Sequence, residues 1–126
     1  MQNLDLANLA SYAKQLEGST LSVLTHDAKN KTVLLEFSHW DGRTISVECR
    51  GVIHCNVSVD GPDGDSEVIG APVECVEDGI LDHLERIGYL WKLEPEWAKN
   101  LEGPWLHFSI NGDTCASVIC RAVAFN

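Results

Sequence analysis

Basic residues are scarce in this chain, which has nine Lys or Arg residues against nineteen Asp or Glu residues and a net charge of −10. A negative field of this size repels the phosphates of nucleic acids and the anionic surfaces of membranes. The sequence therefore disfavours nucleic acid and membrane as partners and favours a basic protein. The alternative is that the acidity only keeps the protein soluble.

Motifs that carry known chemistry are also missing from the sequence. The chain has neither of the glycine patterns that bind phosphates, G-x-G-x-x-G and G-x-x-x-x-G-K-[ST], and it lacks the nucleophile elbow G-x-S-x-G. Its five cysteines are an odd number and include no C-x-x-C pair. We therefore predict no catalytic residue, no cofactor and no metal site, and we expect that the protein is not an enzyme.

No apolar run approaches the roughly 18 residues that a membrane-spanning helix needs. The first residues lack the basic and apolar regions of a signal peptide. We expect a cytoplasmic protein, in which cysteines are usually small buried hydrophobes. With 126 residues, of which 44% are apolar, residues 1–126 are expected to form a single globular domain.

The first half of the chain has the pattern of a helix followed by strands. Leu6, Leu9, Ala10, Ala13 and Leu16 fall on one helical stripe, which predicts a helix over 3–17 that ends at Gly18. Alternating apolar and polar residues, separated by turn residues, indicate antiparallel strands with one buried face. These predicted strands are 19–25, 32–40, 43–50 and 52–59, with a tight turn at 41–42 and a bulge or turn at Gly51.

The second half contains turns, helices and a final hairpin. We predict a loop over 60–67, an irregular strand over 68–76 interrupted by Pro72, and a helix over 78–87 with Ile80, Leu81, Leu84 and Ile87 on its buried stripe. A second short helix is predicted from Glu94-Pro95 to Gly103. The hairpin comprises strands 105–110 and 114–125 around a tight turn at Asn111-Gly112.

This order of elements predicts an α+β fold. We expect a single mostly antiparallel sheet of about six to seven strands, with an N-terminal helix. One or two further helices are expected between the β-meander and the C-terminal hairpin, packed on one face of the sheet.

Two combinations of residues raise the question of a metal site. His54, Cys55 and Cys49 include the ligand types of zinc, but adjacent residues of a strand face opposite sides, so His54 and Cys55 should not converge. The acidic loop 60–67 offers oxygens for calcium, but its spacing does not match the EF-hand pattern. Zinc and calcium are therefore both disfavoured.

Cysteine–histidine catalysis is disfavoured for an electrostatic reason. Cys115 and Cys120 have five histidines elsewhere in the chain as candidate bases, but a thiol needs electropositive surroundings to ionise, and this chain is acidic. A deep pocket that placed His39, His54 or His107 beside a thiol would favour an enzyme or a small-ligand binder instead.

The surplus of negative charge is concentrated in the middle of the sequence. Between Asp60 and Glu102 there are twelve acidic and three basic residues, and Trp91 lies among the acids. Carboxylates around an aromatic anchor suit an Arg- or Lys-rich partner. Trp97 and Trp105 fall on apolar faces, and we expect both in the core. The predicted partner-binding residues are Asp60, Asp63, Asp65, Glu67, Asp82, Glu85, Trp91, Glu94 and Glu96.

In size, charge and expected compartment the chain is similar to bacterial immunity proteins that neutralise toxins, and to phage-type inhibitors that mimic nucleic acid, although no sequence motif carries the similarity. The first hypothesis is therefore an acidic inhibitor that masks a basic, nuclease-like partner. The second is a structural module that forms a homodimer through a strand edge or an apolar patch. The third is an enzyme or small-ligand binder.

Overall fold

The computed structural model describes residues 2–3, 6–59, 67–86 and 103–126, most of which lie in antiparallel strands. The described helices are α1 (Leu6–Lys14) and α2 (Ile80–Arg86). The described strands are β1 (Gln2–Asn3), β2 (Thr20–Asp27), β3 (Thr32–Ser38), β4 (Thr44–Arg50), β5 (His54–Val59), β6 (Val68–Gly70), β7 (Val73–Val76), β8 (Trp105–Gly112), β9 (Thr114–Cys120) and β10 (Ala122–Phe125).

The strands form two sheets, so the prediction of a single sheet is wrong while the prediction of antiparallel pairing is confirmed. The first sheet has the order β1-β10-β4-β3-β2. The second has the order β5-β9-β8-β6, and β7 pairs with β8 on the same side as β6. The N-terminal helix and the final β8–β9 hairpin are both present, but α1 is shorter than the predicted 3–17 and Asn3 belongs to β1 instead. The second predicted helix, 94–103, lies almost wholly outside the described residues.

Two sheets form because the chain changes sheet at two neighbouring corners. The predicted strand 114–125 is interrupted at Arg121, which separates β9 in the second sheet from β10 in the first. The run from β4 to β5 changes sheet at Gly51, whose φ is +66°. The Arg121 N–H donates to the Arg50 oxygen at 2.9 Å, which joins the corners. The predicted strand that is apolar on both faces is thus two strands, of which β9 lies in the second sheet and β10 in the first.

The main core lies between the two sheets. Val33, Leu35 and Phe37 of β3 face Phe108 and the other inward side chains of the second sheet. Leu9 and Ala13 of α1, with Leu16 in the turn after it, close this core on one side as the predicted stripe requires, whereas Ala10 of that stripe is exposed. A smaller apolar cluster lies on the outer face of the second sheet, under α2. The inner faces of both sheets therefore form the main core, and the outer face of the second sheet can carry polar side chains.

Both predicted tight turns differ in detail from the structure. Between β3 and β4, the His39 N–H donates to the Arg43 oxygen and closes a loop of the three residues 40–42. Gly42 in this loop has a φ of +89°. Asn111 and Gly112 belong to β8 and pair with β6, so the chain turns at Asp113 instead. The Gly51 turn and the left-handed Gly18 after α1 agree with prediction.

Candidate functional site

A band of polar side chains crosses the outer face of the second sheet. Paired residues of antiparallel strands point to the same face, and the register aligns His54, Ile119, His107 and Glu74 across β5, β9, β8 and β7. Two residues further along each strand, Asn56, Ser117 and Ser109 form a parallel polar row. Alternation along each strand thus puts histidines and hydroxyls on one face and apolar side chains in the core.

The helix α2 covers one end of this band. Ile80 and Leu84 pack with Trp105, Ile119 and Val76 in the smaller apolar cluster. This packing fixes the helix over the sheet and turns His83, three residues after Ile80, towards the histidine on β8. His83 is 6% exposed, so the helix delivers a buried imidazole to the polar band.

A chain of hydrogen bonds connects the helix to the sheet. His83 Nε2 and His107 Nδ1 are 2.8 Å apart, and the rings meet edge to face. The other nitrogen of His107, Nε2, lies 2.7 Å from Ser117 Oγ and 3.2 Å from Ser109 Oγ. Both nitrogens of His107 therefore have partners, which fixes the orientation of its ring.

The carboxylate of Glu74 lies near the two histidines. One ligand atom from each of Glu74, His83 and His107 lies within 4.8 Å of the others. His83 is buried, His107 is half-buried and Glu74 is exposed, so the group opens to solvent on the Glu74 side. The three residues come from β7, α2 and β8, and only the fold brings them together.

The two histidines on the strands have lowered pKa values. Burial lowers the pKa of His107, and the neighbouring His83 lowers it further, although the nearby Glu74 carboxylate opposes the change. Burial also lowers the pKa of His54. Both shifts favour neutral imidazole at pH 7, the form that binds metals and accepts hydrogen bonds.

An acidic surface lies on the elements that carry this group and on the segment before β6. We use that name for five exposed carboxylates of the second sheet and α2: Glu67, Glu74, Glu77, Asp78 and Asp82. Glu77 and Asp78 link β7 to α2, and Asp82 precedes His83. Glu67 lies further along the same sheet edge, beside Gly112. None of the five forms an ion pair with a described Lys or Arg, whereas Asp41 and Glu48 pair with Arg43 and Arg50.

The predicted partner-binding residues are only partly described. Glu67 and Asp82 are exposed, as an interface would require. Glu85 lies in α2, but its side chain is outside the described part of the structure. The remaining predicted residues fall outside the described ranges: Asp60, Asp63, Asp65, Trp91, Glu94 and Glu96. Of the two tryptophans expected in the core, Trp105 is buried, which confirms its prediction, and Trp97 is not described.

The cysteine side chains are mostly turned away from the histidines. Cys49 and Cys120 meet in the core between the sheets, where the hydrogen bond between the two thiols and burial raise the pKa of the Cys49 thiol. Cys55 packs against the same core, on the face of β5 opposite His54, as predicted. The Cys115 thiol donates to the Gly112 oxygen at 3.4 Å. Burial of Cys49 favours its unreactive thiol form.

Sequence reasoning missed the Glu74–His83–His107 group. The predicted α2 stripe includes Leu81, but Leu81 is 44% exposed and His83 faces the sheet. A signal was available, because His83 lies at i+3 from Ile80 and precedes the buried Leu84. The pairing of Glu74 with His107 had no such signal, since it depends on the register between β7 and β8.

No helix among the described residues is both long enough and apolar enough to cross a bilayer. In the comparisons with known proteins, no family model matches the chain and no curated protein matches it significantly.

Proposed function

We propose that this protein binds a basic protein partner through the acidic surface and masks that partner's positive groove, as an inhibitor or immunity-type protein would. The observation that carries the proposal is the set of five exposed carboxylates without a described basic ion-pair partner. Unpaired surface charge of one sign steers an oppositely charged partner and raises the rate of association.

Exposed apolar side chains beside the acids support the same proposal. Ile69 is 74% exposed and lies two residues after Glu67, and Leu81 is 44% exposed beside Asp82. Protein interfaces combine apolar contacts with a polar rim, and the apolar contacts supply affinity that charge alone does not. The combination fits a specific partner better than it fits a surface that only keeps the protein soluble.

The test compares two variants of equal net charge. In the first, four acids of the acidic surface are neutralised as Glu67→Gln, Glu77→Gln, Asp78→Asn and Asp82→Asn, with Glu74 and the histidines kept. In the control, Glu17→Gln, Glu36→Gln, Asp41→Asn and Glu48→Gln remove the same charge elsewhere. Protein captured from the native cell by the wild type is identified, purified and titrated against each variant.

We expect the first variant to bind the captured partner at least tenfold more weakly than the control, with most of the loss in the association rate. Wild-type affinity should fall as salt shortens the Debye length from about 20 Å to below 8 Å. Equal binding by the two variants, or affinity indifferent to salt, would remove the proposal.

The second hypothesis, a homodimer, keeps one supporting observation. The eight-residue strand β2 forms an edge of the first sheet, and its Val23 is exposed. An exposed strand edge can pair with a second copy, although the register shift between Leu21 and Val23 bends this strand and discourages such pairing. Sedimentation at two concentrations tests it, because a dimer must dissociate on dilution and a strict monomer would exclude it.

A further inference from the structure

The Glu74–His83–His107 group has the spacing of a metal site. Two nitrogen ligands of a tetrahedral zinc ion, with bonds of about 2.05 Å, lie about 3.3 Å apart. His83 Nε2 and His107 Nδ1 are 2.8 Å apart, and a carboxylate oxygen of Glu74 lies within 4.8 Å of one ring nitrogen of each histidine. The rings need to separate by only about 0.5 Å to admit the ion.

The hydrogen bonds around His107 suit a metal ligand. For His107 Nδ1 to bind an ion, the proton of the ring must be on Nε2 and needs an acceptor. Ser117 Oγ and Ser109 Oγ, at 2.7 and 3.2 Å, can accept it because a hydroxyl both donates and accepts. The sheet therefore supplies the outer hydrogen bonds that hold metal-binding histidines in place.

The ligand types and the burial select the class of ion. Imidazole nitrogens favour zinc and similar transition metals over magnesium and calcium, which prefer oxygen. Two histidines and one carboxylate leave the fourth tetrahedral position open, and the exposed side of Glu74 allows a water molecule to reach it. The exposed Asp82, which directly precedes His83 in α2, adds a negative field that attracts a cation.

We propose that Glu74, His83 and His107 bind one zinc-like divalent transition metal ion and leave its fourth position to water. The contrasting explanation is that the two histidines and Ser117 form only a structural hydrogen-bond chain. The two explanations differ at Glu74, which is exposed and which the hydrogen-bond chain does not include. The proposal is independent of the basic protein partner proposed above.

The experiment titrates the full chain with Zn²⁺ by calorimetry. The decisive variant is Glu74→Gln, which removes a proposed ligand at an exposed position, and its matched control is Glu77→Gln, which removes the same charge three residues away. His83→Asn is a second ligand variant, and thermal unfolding without metal checks that each variant folds. Ser117→Ala tests the outer hydrogen bond to His107.

We expect the wild type and Glu77→Gln to bind one equivalent of Zn²⁺ with similar affinity and to unfold at higher temperature when it is bound. Glu74→Gln and His83→Asn should each weaken binding by at least about tenfold, and Ser117→Ala by roughly tenfold. With Co²⁺ in place of zinc, the absorption spectrum should show nitrogen and oxygen ligands without a sulfur charge-transfer band.

Three outcomes would overturn the proposal. The first is a wild-type protein that binds no Zn²⁺. The second is equal affinity in Glu74→Gln and Glu77→Gln, which would make any effect one of general charge. The third is a sulfur charge-transfer band with Co²⁺, which would place the ion on cysteines instead.

Discussion

Asp27 organises the turn between β2 and β3 through both of its carboxylate oxygens. The backbone N–H groups of Asn30 and Lys29 donate to Oδ1, each at 3.1 Å, and the Asn30 side-chain amide donates to Oδ2 at 2.7 Å. The backbone N–H of Asn30, and then its side-chain amide, lower the pKa of Asp27. One ionised side chain thus replaces several regular turn contacts.

We predict that Asn30→Ala raises the pKa of Asp27, because it removes the side-chain donor and leaves the backbone donors in place. Since the folded pKa lies below the unfolded one, Asp27 stabilises the fold fully above its unfolded pKa. This contribution is lost as the pH falls through the folded pKa. An NMR titration of the Asp27 carboxyl measures the change, with Lys29→Ala as control. An Asp27 pKa that is the same in the wild type and Asn30→Ala would contradict the prediction.

The candidate metal residues could be predicted from the sequence only in part. The sequence predicts an α2 stripe and correctly buries Ile80 and Leu84, but it cannot rank His83 against Leu81 for the third position. A histidine is favoured there only when a partner lies opposite, and that partner, His107, is more than twenty residues away. The burial of single residues in the site could therefore be predicted from the sequence, but the contact between residues distant in the chain could not.

At the scale of elements, the pairing of β6 with β8 requires a close approach of their backbones at the end of β8. A Cβ atom at Gly112 would collide with the backbone oxygen of Glu67, so only glycine fits there. On its other side β6 joins the segment after α1, because the Val68 N–H donates to the Ser19 oxygen at 2.8 Å and Gly18 donates to Val68. This short strand thus connects both sheets and α1.

We predict that Gly112→Ala separates β6 from β8 and lowers the free energy of unfolding by about 1–3 kcal/mol, the usual cost of forcing extra atoms into a packed position. The control is Gly70→Ala in β6 itself, where an added Cβ meets nothing within 4 Å. Urea unfolding measures the stability, and hydrogen exchange at the Val68 amide locates the damage. Equal stability in the two variants would disprove the role of close approach.

The elements themselves were largely predictable from local pattern, because alternation and turn residues act over a few neighbours. The N-terminal helix, with the left-handed Gly18 in the turn after it, and the strands flanking Pro72 are examples. The number of sheets was not predictable in the same way. A strand that is apolar on both faces fits a central strand of one sheet as well as a strand that bends into a second. The long-range pairing of β9 with β5 and of β10 with β4 distinguishes these cases.

At the scale of the whole molecule, a net charge of −10 acts against compactness. Like charges repel one another more strongly in the folded state, where they are closer, than in the expanded unfolded chain. The repulsion should be large at the acidic surface, where five exposed acids form no ion pair with a described Lys or Arg. Asp41 and Glu48 differ, because each is attracted to an arginine beside it.

We predict that the thermal midpoint of unfolding rises when NaCl is raised from about 20 mM to about 200 mM, because the Debye length then falls from about 20 Å to about 7 Å. The four-site variant of the acidic surface should show a smaller rise and a higher midpoint at low salt. The control variant loses the ion pairs of Asp41 and Glu48, so its midpoint at low salt should rise less than that of the four-site variant. Calorimetry without divalent ions measures all three proteins, and a wild-type midpoint that falls with salt would show that attractive pairs outweigh the repulsion.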